Sequence, residues 1–234
     1  MSHLRWNPIL EEWIIVSPAR HMRPVLGKEG CPFCPGSKET EGEWEVLSLP
    51  NRYPAFSPDS PEPIPEPGYT SRAAKGICEV VVTSRRHDDR LDTMSLKQVE
   101  RVLSAFAERT QSLSRPSFIK YVYVFENFGP AIGVTLTHPH AQIYAMPFVP
   151  PIVRREATSA KRYMKLNGRC LFCTILDREL QSRRRLVCEN EHFVAFVPFY
   201  ARWAFEVHVY PKRHVLRLSC LLYTSDAADA LPGS

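Results

Sequence analysis

The sequence predicts an α+β fold: an antiparallel sheet with helices, organised as two related half-domains of which the second is incomplete. Three observations point there. Short runs of β-branched and aromatic residues, bounded by turn-forming sequence, alternate with a single clear amphipathic helix in the first 150 residues. Two C-x-x-C pairs bring similar flanking sequence with them. The second copy then breaks off before it has used all the elements of the first.

In chain order, "WIIVS" reads as a strand and "CPFCPG", which carries Cys31 and Cys34, as a Pro/Gly-rich loop knuckle. "EVVVT" is a further strand. In "SLKQVERVLSAFAERTQSL", Leu96, Val99, Leu103, Phe106, Thr110 and Leu113 recur at spacings of three and four, an amphipathic helix that Ser95 and Gln98 would open as a capping box. "SFIKYVYVF" is the next strand. "THPHAQIYA" follows as a strand with His138, His140 and Gln142 on one face and Pro139, Ala141 and Ile143 on the other, because alternate strand residues point the same way. "KRYMKLNGR" reads as a charged link to the second half.

The halves align through their knuckles. Cys31, Cys34, Ala55 and Phe56 match Cys170, Cys173, Ala195 and Phe196 at offsets of 139 and 140, and "EVVVTSRRH" matches "EVHVYPKRH" at 127. The change of offset falls in a Pro-rich loop, where insertions are cheap. Expected boundaries are 1–150 for the first half-domain, 151–218 for the partial second one, and 219–234 for a non-native tail. "CLLYTSDAADALPGS" has neither helical nor strand periodicity and resembles translated sequencing adapter. Carried over at the same offset, the counterpart of Gln142 would lie beyond the chain's end at Ser234.

Composition narrows the function. The chain has 234 residues, 44% of them apolar, enough for a sizeable core. Its charge of +5 comes from 30 basic and 25 acidic residues spread along the sequence, unlike the concentrated patches of a nucleic-acid binder. Neither a leader peptide nor a membrane-spanning apolar run is evident, so a soluble cytoplasmic protein is expected. No P-loop or dinucleotide glycine fingerprint is present.

Of seven cysteines, four sit in the two pairs, too far apart for one zinc ribbon, so two separate metal sites are expected. Cys78, Cys188 and Cys220 read as ordinary small residues. Zinc takes four soft or borderline donors in a tetrahedron. Cys31 and Cys34 supply two; His87 and His138 are the candidates for the others, although spacing alone leaves His87 equally a surface histidine in "SRRHDD". His140 then lies beside the metal and not on it.

"FENFGPAIGVTLTHPHAQIYA", with "NPILEEWIIVSPARHMRP" and "ARWAFEVHVYPKRHVLRLS" in the same order, resembles the galactose-1-phosphate uridylyltransferases, the transferase branch of the histidine-triad superfamily. The resemblance implies a histidine-triad-like sheet and a ping-pong exchange of UMP between UDP-glucose and galactose 1-phosphate, with His140 as nucleophile. It implies that Gln142 donates to a phosphoryl oxygen, that Arg20 and Arg23 lie near the substrate phosphates, and that Asn51, Asn127, Gly133 and Thr135 form the uridine and phosphate pocket. Arg52 stands where the best-known members carry an acid, and Thr135 where they carry serine. A second, incomplete zinc site of Cys170, Cys173 and His214 is implied, as is a homodimer for the full-length protein; the scattered charge and the lack of a long apolar run predict no nucleic-acid or membrane partner. Two other readings stay open: an ADP-sugar phosphorylase or adenylyltransferase of the same superfamily, and a non-enzymatic zinc-binding interaction module.

Overall fold

The computed structural model describes residues 2–18, 29–132, 134 and 136–221. The described chain divides into two compact units, one that takes in the residues up to Val149 and the other spanning Pro150–Leu221.

The first unit is built on two sheets. β1 (His3–Asn7), β2 (Glu12–Val16) and β4 (Ser71–Ala73) form a small one in the order β2-β1-β4. The main sheet has the order β3-β5-β7-β6, from β3 (Leu47–Pro50), β5 (Ile77–Val82), β7 (His140–Met146) and β6 (Tyr121–Glu126), with every neighbouring pair antiparallel. Period-two alternation gives this sheet two distinct faces. Val81, Ala141, Ile143 and Ala145 are buried in a cluster with Leu113 of α1 (Leu96–Leu113) and with Ile119. On the other face Val80 and Val82 pack against Cys31, Phe33, Trp44, Leu47 and Leu49. Arg109 of α1 donates to both carboxylate oxygens of Glu79 at 2.8 and 2.6 Å, a bidentate pair that fixes the helix on β5. At Gly76 an added Cβ would come within 2.6 Å of the Ala145 carbonyl and 2.8 Å of Phe56 Cβ, so backbone and ring leave room only for glycine.

Two details differ from the sequence reading. Ser95 Oγ accepts from the Gln98 amide at 3.2 Å, but the Gln98 side chain does not close a capping box; it donates to the carbonyls of Glu45 and Thr83 at 2.8 and 2.7 Å and ties the helix start to the sheet. The expected stripe holds at Phe106 and Leu113, which join the core, but not at Leu96 and Leu103, which are 83% and 51% exposed, while Val102 and Ala107 are buried. Spacings of three and four admit Val102 as readily as Leu103 beside Phe106, and docking on the sheet buries Val102.

In the second unit α2 (Pro151–Asn167) and α3 (Leu171–Ser182) precede an antiparallel sheet of order β10-β9-β8, from β8 (Leu186–Glu189), β9 (Phe193–Phe196) and β10 (His208–Pro211). Its core gathers Leu176, Val194 and Phe196. "KRYMKLNGR" is therefore not a linker: it forms the end of α2, which Gly168 caps in the left-handed conformation at φ 66°. Ala55–Phe56 and Ala195–Phe196 are buried in both copies, yet only the second pair lies in a strand.

Candidate active site and metal clusters

Antiparallel pairing sets the site in register. Leu47 faces Val82, which faces His140; Leu49 faces Val80, which faces Gln142. The two polar residues of β7 thus continue two rows of aliphatic side chains. The ladder extends one step before β7, where the Thr83 amide donates to the Pro139 carbonyl at 3.2 Å, and His138 lies just outside the strand.

His138 is only 1% exposed and shares a cluster with Cys31, Cys34 and His87, whose donor atoms all lie within 4.8 Å of one another. Cys31 Sγ is 3.7 Å from His138 Nδ1, and Cys34 Sγ is 3.4 and 3.6 Å from Nδ1 of His87 and His138. Zinc bonds of about 2.3 Å to sulfur and about 2.0 Å to nitrogen place the ends of a tetrahedral edge about 3.6 Å apart. These side chains fit that ion.

The far nitrogens are held as well. His138 Nε2 donates to the Ser84 carbonyl at 2.8 Å, which leaves the lone pair on Nδ1, toward the sulfurs. His87 Nε2 lies 2.9 Å from Thr137 Oγ1. Burial pushes the His138 imidazolium below the ordinary histidine range, so the ring is held in the neutral form a metal ligand requires. Ser84 and Thr137 escaped the sequence reading, although Thr137 adjoins His138. Neither residue type announces a supporting role; only the fold brings them up behind the ligands.

His140 stands beside this cluster with its ring 5.5 Å from that of Phe33, one of the two residues between the knuckle cysteines. Its Nδ1 is 2.8 Å from the His138 carbonyl. A carbonyl only accepts, so Nδ1 carries the proton and Nε2 holds the lone pair. His140 and Gln142 line a cleft of about 230 Å³ together with Asn51, Arg52, Tyr53, Glu39 and an aliphatic floor that includes Leu49, Val80 and Leu136. The Tyr144 hydroxyl donates to Gln142 Oε1 at 3.5 Å. A second cleft also reaches His140 and is lined by Asn127, Gly129, Thr137 and Glu126, whose carboxyl burial pushes up. Asn51 and Asn127, expected in one pocket, therefore line different clefts that share His140 and Leu136. Arg20, Arg23, Gly133 and Thr135 lie outside the described residues.

In the second unit Cys170, Cys173 and His214 converge in the same way, with Cys173 Sγ 3.1 Å from His214 Nδ1. Cys170 immediately precedes α3 and Cys173 lies in its first turn, whereas Cys31 and Cys34 lie in turns. Burial and the adjoining Cys170 raise the Cys173 thiol. Two thiolates and an imidazole suit zinc, with one position left open.

An antiparallel sheet that carries an imidazole and a carboxamide at alternate positions of one strand, beside a Cys2His2 cluster, defines a histidine-triad-like protein. The family model for the N-terminal domain of galactose-1-phosphate uridyl transferase matches residues 1–150, and that for its C-terminal domain matches residues 156–229. The chain belongs to this family. It is 42% identical over 222 residues to a galactose-1-phosphate uridylyltransferase of Thermotoga maritima, an alignment covering 93% of this chain and 69% of that protein. A solved uridylyltransferase superposes with a TM-score of 0.85 at 43% identity, over 94% of this chain and 68% of the other. An ADP-glucose phosphorylase from Arabidopsis thaliana, solved with bound ADP-glucose, gives 0.70 at 28% identity, over 94% and 71%. The expected α+β, histidine-triad-like class holds. Among the described residues no helix is long and apolar enough to cross a membrane.

Proposed function

We propose that this chain exchanges UMP between UDP-glucose and galactose 1-phosphate through a uridylyl group carried on Nε2 of His140. The observation that carries the reading is the hydrogen bond from His140 Nδ1 to the His138 carbonyl, which selects the tautomer whose nucleophilic lone pair is on Nε2, in a ring lining the cleft.

Nε2 attacks the α-phosphorus of UDP-glucose; the N–P bond forms, the bond to the bridging oxygen breaks, and glucose 1-phosphate leaves with the electron pair. A phosphate oxygen of galactose 1-phosphate then attacks the same phosphorus, and the N–P bond breaks to restore the imidazole. With Tyr144 on its oxygen, Gln142 turns its amide group to a non-bridging phosphoryl oxygen and stabilises charge that grows during each displacement. Asn51, Asn127, Gly133 and Thr135 hold the uridine and phosphates, and Arg20 and Arg23 the phosphates, by the motif positions they occupy.

Zinc held by Cys31, Cys34, His87 and His138 would cross-link distant segments and fix the carbonyl that orients His140. Cys170, Cys173 and His214 would hold a second ion. The full-length protein acts as a cytoplasmic homodimer in this reading. The ADP-glucose phosphorylase likeness supports ADP-sugar as the competing substrate.

The test is mass spectrometry after incubation with UDP-glucose or ADP-glucose in parallel. An acid-labile uridylyl adduct on His140, absent from His140→Asn, is expected. An adduct on another residue, or one formed only from ADP-glucose, would refute the assignment.

A further inference from the structure

We propose that Glu39, held by Arg52, reads the vicinal ribose hydroxyls of the nucleotide and sets the preference for ribo- over deoxyribonucleotides. The inference rests on the uridylyl-transfer reading above.

The cleft has a polar end, an aliphatic floor and a second polar end. His140 and Gln142 stand on β7; Val80 on β5 and Leu49 on β3 follow across the sheet; and Asn51, Arg52 and Tyr53 continue the chain out of β3. Adjacent strands are about 4.8 Å apart, so β3 runs about 10 Å from β7. A nucleotide whose phosphorus meets His140 extends its sugar across the floor toward that far end. The acidic and basic residues lining the cleft are Glu39 and Arg52, paired at 3.0 Å between Arg52 Nη1 and Glu39 Oε1.

Their chemistry selects the ligand group. A carboxylate only accepts hydrogen bonds, and its two oxygens suit two adjacent hydroxyl donors. The vicinal ribose diol supplies such a pair, whereas phosphate oxygens, themselves acceptors, find no donor on this carboxylate. Arg52 offsets the charge of Glu39, so the carboxylate does not repel a ligand that is already anionic.

Glu39 is also well placed to act as a fixed reader. The next residue, Thr40, is fully buried; its hydroxyl donates to the Cys34 carbonyl at 2.6 Å and its amide to the Ser37 carbonyl at 3.1 Å. The Trp44 indole donates to the Thr40 carbonyl at 3.3 Å. The loop that presents Glu39 is thus tied directly to the Cys31–Cys34 knuckle, and the same knuckle positions His140 through Phe33.

The experiment measures equilibrium binding of UMP and 2′-deoxy-UMP, and adduct formation from UDP-glucose and its 2′-deoxy analogue, in wild type, Glu39→Gln and Arg52→Gln. Losing a hydrogen bond to a charged group weakens an interaction roughly 10- to 100-fold. Wild type should prefer the ribo form by that factor, Glu39→Gln should reduce the preference to about threefold or less, and Arg52→Gln should reduce it partly. No ribo preference in wild type, or an equal loss for both nucleotides in Glu39→Gln, overturns the proposal. Adduct formation without ribo preference overturns this proposal alone. Ribo preference that depends on Glu39, without any adduct, supports it while refuting the transfer chemistry.

Discussion

Replacing Cys31 with serine should release one metal ion per chain and unfold the first unit at a lower temperature. The magnitude follows from what the cluster ties together. Cys31 and His138 are 107 residues apart and Cys34 and His87 are 53 apart, yet their donor atoms lie 3.7 and 3.4 Å from each other. Closing a loop of that length with a cross-link is worth about 4 kcal/mol of chain entropy. Serine leaves three ligands and an open position, so the ion is lost and we expect a loss of about 3 kcal/mol, less than the full closure term because residual structure in the unfolded chain already restricts these segments. At about 2–4 °C per kcal/mol for a unit of this size, Tm falls by about 6–12 °C. The assay pairs metal analysis of gel-filtered protein with a thermal melt, using Cys188→Ser as control because Cys188 is exposed and outside both clusters. Equal metal content and equal Tm in Cys31→Ser and wild type would refute the clamp.

Gln142→His should raise free UMP produced per sugar nucleotide exchanged, since an imidazole can exchange a proton with water or leaving group and a carboxamide cannot; an unchanged ratio would assign the outcome to water exclusion instead. In chelator-treated protein, burial makes His138 harder to protonate than an ordinary histidine, which gives a pH dependence of definite sign. Above the unfolded histidine value of about 6.5 both states are neutral and the full stability is present; as pH falls below it the unfolded chain takes up the proton first, so Tm should fall between pH 7 and 5, and His138→Asn should flatten that slope. Gly76→Ala should destabilise by about 1–3 kcal/mol, because the new methyl group meets a backbone carbonyl and a buried ring; a denaturant melt that shows no shift would contradict the packing at β5.

Much of the fold was legible in advance because it depends on short-range patterns. Period two marked β5, β6 and β7, and a three-and-four spacing marked α1 with Phe106 and Leu113 inward, but in its first half the sheet chose Val102 over Leu103. "KRYMKLNGR" misled because its charges suit a solvated helix face as well as a linker; α2 has no buried residue to show the difference.

The sequence by itself determined the chemical inventory: two thiol pairs, the histidines able to join them, and an imidazole and a carboxamide two residues apart on one strand. Side-chain type and strand period suffice for that. Only the tertiary structure decided which nitrogen of each histidine faces its neighbours, through the carbonyls of Ser84 and His138, and only it brought Glu39 and Arg52 into the cleft of His140. The reason is physical. A tautomer depends on the partner at the opposite nitrogen, and the partners of His138 come from segments 54 to 107 residues away that no local pattern links to it.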